Sequence, residues 1–267
     1  MEKSADRGSA AGKGHSVAKR VVTALATAAA VVCGLVFLPF TYVLPALILL
    51  AGLVQLEFSQ MAAKKYEVAV WPGVAAGVMW LVGRYYYGVD ALVPLFFALA
   101  VIVLFRGGYS KPLEALGMTA LGLVYVPVML SGLIDVGERD VRLLLYVVAI
   151  VKISDMGGFA FGVAFGRHKM CPSISPNKSW EGMAGSIFAA CVISCAFMPM
   201  TGFAVVKALA LGVAAAVVGT LGDLVESRFK RACGVKDSAT FMPAGMGGFL
   251  DMFDSLIFAP ALIGRFL

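Results

Sequence analysis

The sequence predicts an all-α, polytopic integral membrane protein with about nine transmembrane helices, its N-terminus on the inner side and its C-terminus on the outer side of the membrane. Hydrophobic residues make up 60% of the 267 residues and charged residues 14%, and the mean hydropathy is +0.90. A water-soluble domain needs a polar exterior, which this composition cannot provide. Lysine and arginine also fall mostly in the breaks between apolar runs, as is typical of membrane proteins.

The apolar runs are separated by charged residues, prolines and glycines. Each has roughly 15–22 residues, which is the length a helix needs to cross the hydrocarbon core. The predicted spans are 21–39, 41–56, 69–84, 90–106, 113–134, 143–164, 182–200, 203–222 and 247–266. The second, third and fourth runs are short, so shifted or re-entrant helices are the alternative there.

Three regions follow from these spans. Residues 1–20 are polar and are predicted to form a disordered cytoplasmic tail, and 21–142 hold the N-terminal transmembrane helices. Residues 143–267 form the C-terminal transmembrane region with the candidate catalytic residues and two cytoplasmic loops, 165–181 and 223–246. A cleaved signal peptide over 1–39 is the alternative at the N-terminus. The apolar run there is longer than a typical signal sequence, which favours an uncleaved first span.

The positive charges indicate the orientation. The tail and four alternate breaks carry most of the cations, among them Lys64, Lys65, Arg106, Lys111, Arg167, Lys169, Lys178, Arg228, Lys230, Arg231 and Lys236. The opposite side holds Arg84, Arg139, Arg142 and Arg265, with Lys207 close by. The positive-inside rule therefore predicts an inner N-terminus. Because the net charge of +6 lies in these breaks, it does not indicate a nucleic-acid partner.

Four acidic residues interrupt or border the apolar runs. Asp155 falls within the sixth run, Asp223 ends the eighth, and Asp251 and Asp254 begin the ninth. A carboxylate within a membrane is costly unless it is paired, hydrated or bound to a cation, so each is a functional candidate. The remaining acids, including Glu57, Asp90, Asp135 and Glu138, are assigned to loops or termini. Five cysteines and two histidines show neither a disulfide framework nor zinc-ligand spacing.

Asp251 and Asp254 are three residues apart, so on a helix they share a face and their carboxylates can point to one place. Two such anions repel each other at low dielectric, and a hard cation such as Mg²⁺ removes that conflict because it prefers oxygen ligands. The alternative is a structural ion network with Arg228, Lys230 or Arg231.

Two cytoplasmic loops offer phosphate contacts. In the second loop, Ser227, Lys230, Arg231 and Lys236 follow Asp223, and the glycine-rich bend 244–248 opens the ninth helix. In the first loop, the candidates are Ser175, Lys178 and Ser179. A basic loop can instead be only an orientation signal, and Ser179 can instead cap the seventh helix with Glu181 in its first turn.

The two loops resemble the phosphatidate cytidylyltransferase family, also called CDP-diacylglycerol synthases. "SRFKRACGVKDS" matches its Ser-x-apolar-Lys-Arg and Lys-Asp signature at Ser227, Lys230, Arg231, Lys236 and Asp237, and Pro243, Gly247, Gly248, Asp251 and Asp254 follow. "SPNKSWEG" (175–182) is similar to a second family element, and the likeness covers roughly 150–256. The sequence departs from the family pattern at Met246, where a histidine is usual, and at Met252, where an arginine is usual.

The resemblance implies that CTP and phosphatidate react to give CDP-diacylglycerol and pyrophosphate by Mg²⁺-assisted in-line attack. It implies metal binding by Asp223, Asp251 and Asp254, with Asp155 as a further contact and room for a second ion. It implies catalytic roles for these three aspartates and Lys230. It implies substrate binding by Ser175, Lys178, Ser179, Ser227, Arg231, Lys236, Asp237, Gly247 and Gly248.

The expected setting is a bacterial-type inner membrane with the active site facing the cytoplasm, and a homodimer is compatible with the sequence. A related CTP-dependent transferase or kinase for another membrane lipid is the alternative within enzymes. A secondary transporter, which also carries acids within the membrane, is the alternative outside them, although its acids more often lie near the midplane. A non-catalytic relative is a third alternative, because of Met246 and Met252.

Overall fold

The computed structural model describes Gly34 and residues 37–106, 108–238 and 248–267. Within them the chain is almost entirely helical, with one two-stranded antiparallel sheet, so the predicted all-helical class is confirmed. The helices are α1 Phe40–Ala62, α2 Val70–Tyr87, α3 Leu92–Phe105, α4 Pro112–Leu123, α5 Met129–Arg139, α6 Val141–Phe165, α7 Trp180–Ala196, α8 Met198–Thr201, α9 Val205–Ala232 and α10 Phe249–Ile263. The strands are β1 Lys169–Cys171 and β2 Ser175–Ser179.

Four helices of the described chain are long and apolar enough to cross a membrane. They are α1, the continuous helix Pro112–Arg139, α6 and α9. The second of these consists of α4, a π-helical turn at Val124–Val128, and α5. The helices α3 and α7 are apolar but shorter. Large apolar side chains such as Phe105 and Val206 are about four-fifths exposed, as is expected of a surface that faces lipid.

The helix bounds correct two expectations. The second predicted span, 41–56, extends to Ala62 and has 23 residues, so it is not short. The eighth, 203–222, continues to Ala232, so that 223–232 is helix and not loop. Residues 223–232 contain no glycine or proline, and the helix ends just before Gly234, which has a φ of 74° that favours glycine. The first predicted span, 21–39, lies almost wholly outside the described residues.

Small residues bring the C-terminal helices together. A Cβ on Gly157 of α6 would lie 2.8 Å from the carbonyl oxygen of Gly185 in α7. A Cβ on Gly222 of α9 would lie 2.9 Å from the carbonyl oxygen of Asp254 in α10. Backbones approach this closely only where no side chain intervenes, which is a common mode of helix packing in membranes. The approach at Gly222 brings the neighbouring Asp223 towards Asp254.

The N-terminal helices share a hydrophobic core with the C-terminal ones. Phe58 of α1 lies 5.2 Å from Tyr125 and 5.6 Å from Phe229 of α9, between ring centroids. Tyr125 also lies 5.6 Å from Phe258 of α10. The Phe58–Tyr125 rings are tilted and the other two pairs are edge-to-face, and aromatic rings at these distances attract one another. This aromatic cluster joins α1 to the two helices that carry the candidate carboxylates.

Several acids assigned to loops lie in helices. Asp135 and Glu138 belong to α5, and Asp135 forms a 3.1 Å ion pair with Arg84 of α2 and accepts a 2.5 Å hydrogen bond from the Tyr85 hydroxyl. Glu57 is fully buried within α1. Apolar patterning misplaces these residues because a charged residue ends an apolar run in the sequence without ending the helix.

Candidate active site

A cavity of about 670 Å³ opens between α6, α7, α9 and the β-hairpin. Its polar lining residues include Asp155, Lys169, Ser175, Lys178, Ser179 and Asp223. Its apolar lining includes Phe159 and Val163 of α6, which are 76% and 73% exposed. The cavity therefore joins a charged interior to a surface of the kind that faces lipid.

Lys178 and Asp223 form the central ion pair of this cavity. The hairpin pairs Lys169 with Ser179 and Cys171 with Ser175, and it places Lys178 opposite α9. Lys178 Nζ lies 2.8 Å from Asp223 Oδ2 and donates to the carbonyl oxygen of Thr220 at 3.1 Å. Asp223 Oδ1 is buried and has no hydrogen-bond partner among the described residues. This oxygen remains able to accept a ligand.

Asp155 and Asp254 lie close to Asp223. The Ser255 hydroxyl of α10 lies 2.7 Å from Asp155 Oδ2, and Lys152 lies 3.6 Å from the same carboxylate. Asp254 Oδ1 accepts the backbone N–H of Ser255 at 2.6 Å. Asp155 and Asp223 line the same cavity, and the backbone carbonyl oxygen of Asp254 lies against Gly222, the neighbour of Asp223. Three helices thus bring three acids to one region, which favours a cation or a donor-rich ligand there.

A second charged group lies at the first turn of α10. Lys230 Nζ is 2.6 Å from Asp251 Oδ1 and 2.6 Å from Glu226 Oε2. Asp251 Oδ2 accepts the backbone N–H of Gly248 at 2.8 Å and that of Ser238 at 3.2 Å. Asp251 and Asp254, which the i,i+3 spacing places on one helix face, thus have different hydrogen-bond and ion-pair partners. Asp251 joins the ion network with Lys230, as the alternative expected, while Asp254 lies near Asp223.

Glu226 was missed by reasoning from the sequence. Its side chain is 1% exposed and pairs with Lys230 one helical turn away. The sequence pattern predicts a loop from residue 223. The i,i+4 spacing of Glu226 and Lys230 indicates a contact only if both residues lie on a helix, so the pair was not predicted. The absence of helix breakers between 223 and 232 is the signal that could have revealed it.

The predicted phosphate contacts divide into two sets. Ser175, Lys178 and Ser179 line the cavity. Ser227 is half-buried on α9, whereas Arg231, Lys236 and Asp237 are exposed beyond the cavity wall, and Arg231 donates to the carbonyl oxygen of Val235 at 3.4 Å. Gly248 precedes α10 as its N-cap. Gly247 lies outside the described residues.

The turn after β2 is held by capping contacts. Ser179 Oγ accepts the backbone N–H of Gly182 at 3.1 Å, so the capping role expected as the alternative is present. Glu181 lies 2.6 Å from the His168 ring nitrogen and accepts the backbone N–H groups of Arg167 and His168. The contact with His168, with the backbone donors, lowers the pKa of Glu181 to about 2. These bonds fix the hairpin that carries Lys178.

The carboxylates can be tested for their fit to a metal ion. In the part of the chain that the structure describes, no three carboxylate, histidine or cysteine side chains are close enough to form a complete site. Mg²⁺ is commonly bound by only one or two carboxylates, with water and substrate phosphates completing its shell. Asp223, whose buried Oδ1 has no partner among the described residues, and Asp254, whose backbone packs against the adjacent Gly222, fit that donor set. Asp251, bound to Lys230, fits it less well.

Comparison with known proteins identifies the family of this chain. The profile of the cytidylyltransferase family matches residues 18–267. The chain is 38% identical over 149 residues to the phosphatidate cytidylyltransferase of Staphylococcus aureus, a match covering 55% of this chain and 57% of the relative. The protein of that name from Haemophilus influenzae is 42% identical over 135 residues, covering 46% and 45%. The Mycobacterium bovis protein is 37% identical over 163 residues, covering 57% and 51%.

These matches span about half the length of the curated relatives. The family profile, in contrast, covers nearly the whole of this chain, including every helix described above. The chain therefore belongs to the cytidylyltransferase family.

Proposed function

We propose that the protein transfers CMP from CTP to phosphatidate, producing CDP-diacylglycerol and pyrophosphate. The observation that carries this proposal is the Lys178–Asp223 pair on the wall of a cavity that is charged inside and apolar at its rim. A nucleotide triphosphate needs cations and a metal-binding carboxylate, and a lipid needs an apolar route. Family membership and the names of the relatives support the same reaction.

The reaction is a displacement at phosphorus. A phosphate oxygen of phosphatidate attacks the α-phosphorus of CTP, a new P–O bond forms, and the bond to the β-phosphate breaks as pyrophosphate leaves. Such chemistry depends on positioning and on stabilising charge. Lys178 binds phosphate oxygens, and Asp223 orients its ammonium group. Lys230, with Glu226 and Asp251, holds the first turn of α10 in place.

The proposed cofactor is Mg²⁺, held by Asp223 and Asp254 with Asp155 nearby. When bound, it neutralises phosphate charge and helps to align the triphosphate. The unpartnered oxygen of Asp223 supports this assignment. Asp251 and a second ion belong to the wider set that the family resemblance implies.

The lipid is proposed to enter from the side. Phe159 and Val163 lie at the cavity and are largely exposed, so acyl chains can rest against α6 while the headgroup phosphate approaches Lys169 or Lys178. This arrangement leaves the acyl chains in lipid and avoids the cost of exposing them to water.

We further infer that the protein is a multi-pass membrane protein with nine spans, an inner N-terminus and a cytoplasmic active site, in a bacterial plasma membrane. The distribution of cations supports this orientation. Lys65, in the connection after α1, donates to the carbonyl oxygen of Ala232 at 2.9 Å, so this basic connection lies at the same end as the site.

The test is synthesis by the purified protein in lipid nanodiscs containing phosphatidate. With CTP and Mg²⁺, CDP-diacylglycerol and pyrophosphate should form in equal amounts, and chelation of Mg²⁺ should stop both. A lipid kinase would release CDP instead of pyrophosphate, and a panel of other lipid acceptors separates related transferases. No product from phosphatidate under these conditions would refute the proposal.

A further inference from the structure

Glu57 is a buried acid on α1 that does not belong to the carboxylates singled out above. It lies within α1, its side chain is 0% exposed, and its Oε2 accepts the backbone N–H of Leu250 at 2.8 Å. The two residues are 193 positions apart in the chain. Burying a carboxyl group is costly unless it is hydrogen-bonded, so this contact is a specific feature of the fold.

The contact lies at the N-terminus of α10. The first N–H groups of a helix have no partners within it, and a carboxylate there is favoured by the helix dipole. Asp251 accepts the N–H of Gly248, and Glu57 accepts that of Leu250. A Cβ on Gly248 would lie 2.5 Å from Glu57 Oε2, so the carboxyl group is packed directly against the start of the helix.

Helix α1 and the connection that follows it also contact the end of α9. Lys65 donates to the carbonyl oxygen of Ala232 at 2.9 Å, and Phe58 packs edge-to-face on Phe229. Thus α1 touches both α9, which carries Asp223, and the start of α10, the helix that carries Asp251 and Asp254.

We infer that Glu57 is a positioning residue for the active site: by accepting the N–H of Leu250, it sets the position of the first turn of α10 and so of Asp251 and Asp254. The inference rests on the proposed function for its effect on turnover. Misplacing reacting or metal-binding groups by about 1 Å can lower a rate by about 100-fold.

The experiment compares Glu57→Ala, Glu57→Gln and the control Gln55→Ala in full-length protein in nanodiscs. Gln55 is on the same helix, is 1% exposed and donates to the carbonyl oxygen of Gly73 at 2.9 Å, so its loss also removes a buried contact between helices. Glu57→Ala should lower kcat by about 10-fold or more with little change in the KM for CTP. Glu57→Gln should restore kcat, because its amide oxygen can accept the same N–H.

Hydrogen exchange provides a readout that does not need turnover. The backbone amides of 249–252 should exchange faster in Glu57→Ala than in the wild type or in Gln55→Ala. The inference is overturned if Glu57→Ala matches Gln55→Ala in both kcat and exchange, or if Glu57→Gln is as impaired as Glu57→Ala. If the wild type makes no CDP-diacylglycerol, the proposed function fails, while exchange still decides the role of Glu57.

Discussion

Lys230 lies between the carboxylates of Glu226 and Asp251, 2.6 Å from each, and all three side chains are mostly buried. Lys178 pairs with Asp223 at the cavity wall. A charge removed from water needs compensation by an opposite charge or by hydrogen bonds. Both lysines compensate partly buried carboxylates. Lys230 holds the first turn of α10, and Lys178 lies where the substrate is proposed to bind.

Replacing Lys230 with methionine should destabilise the protein. Glu226 and Asp251 would then face each other without a cation, and breaking a buried ion network commonly costs about 3–5 kcal/mol. The melting temperature in detergent should fall clearly. Lys111→Met is the matched control, because its pair with Glu114 is exposed and should contribute little. Equal melting temperatures for both variants would contradict this role of Lys230.

Replacing Lys178 with alanine should impair catalysis more than folding. It removes a charge-assisted contact to phosphate, so kcat/KM for CTP should fall by about 10- to 100-fold. The measurement is initial-rate kinetics in nanodiscs. Lys64→Ala, at an exposed position in the connection after α1, should leave kcat/KM near that of the wild type. An unchanged rate for Lys178→Ala would remove this lysine from the proposed site.

A short hairpin and a single glycine determine where these charged side chains lie. The hairpin β1–β2 carries Lys178, and the contacts of Glu181 with His168 and the backbone of Arg167 close it. Within α9, Gly222 lets the backbone of α10 approach closely at Asp254, next to Asp223. The hairpin therefore positions Lys178, and Gly222 determines how closely Asp223 and Asp254 approach from two different helices.

The hairpin should lose stability in acid. The folded state lowers the pKa of Glu181 from 4.5 to about 2, so its stabilisation is fully present above pH 4.5 and is lost as the pH falls towards 2. The protection of 167–181 against hydrogen exchange, measured relative to the intrinsic exchange rate at each pH, should therefore fall over that interval in the wild type. In Glu181→Gln this protection should already be lowered at neutral pH and depend less on pH. An identical pH profile for the two proteins would contradict this assignment.

Gly222→Ala should reduce activity. The added Cβ would lie 2.9 Å from the carbonyl oxygen of Asp254, so α9 and α10 must move apart. We expect kcat to fall by about 10-fold or more, measured as CDP-diacylglycerol formation. Gly117→Ala is the matched control, because nothing lies within 4 Å of the position its Cβ would take. Similar activities of the two variants would show that this close approach is not needed.

Charged residues lie at two opposite ends of the helix bundle. Lys65 lies with the end of α9 and the start of α10, near the proposed active site. At the far end of α2, Arg84 pairs with Asp135, and these two residues help to line a smaller cavity of about 350 Å³. If the N-terminus is on the inner side, as proposed, the end that contains Lys65 faces the cytoplasm.

Cysteine labelling tests this orientation. In a background without native cysteines, Tyr87→Cys should react with a membrane-impermeant maleimide in intact cells, and Lys64→Cys only after lysis. Tyr87 is 76% exposed and Lys64 is also exposed, so both sites are accessible. The reverse pattern would contradict the orientation, and labelling of both in intact cells would contradict a crossing by α2.

The membrane class, several candidate site residues and the family could be predicted from the sequence. The high hydropathy predicts the membrane class, because a chain with so few polar residues cannot cover a soluble core. The acids at 155, 223 and 254 stand out, because carboxylates near apolar runs are costly. The motif around Lys178 and that from Ser227 to Lys236 indicate the family, which the family profile supports.

The partners of these residues were decided only by tertiary structure. Spacing places Asp251 and Asp254 on one helix face, but it does not reveal that Asp251 pairs with Lys230 or that the backbone of Asp254 packs against Gly222, next to Asp223. Glu57 reads as a loop residue, yet it is buried against Leu250 from the far end of the chain. Local patterns limit where a side chain can point, whereas its final partner depends on which helices pack beside it, and these contacts join residues about 20 to 190 positions apart.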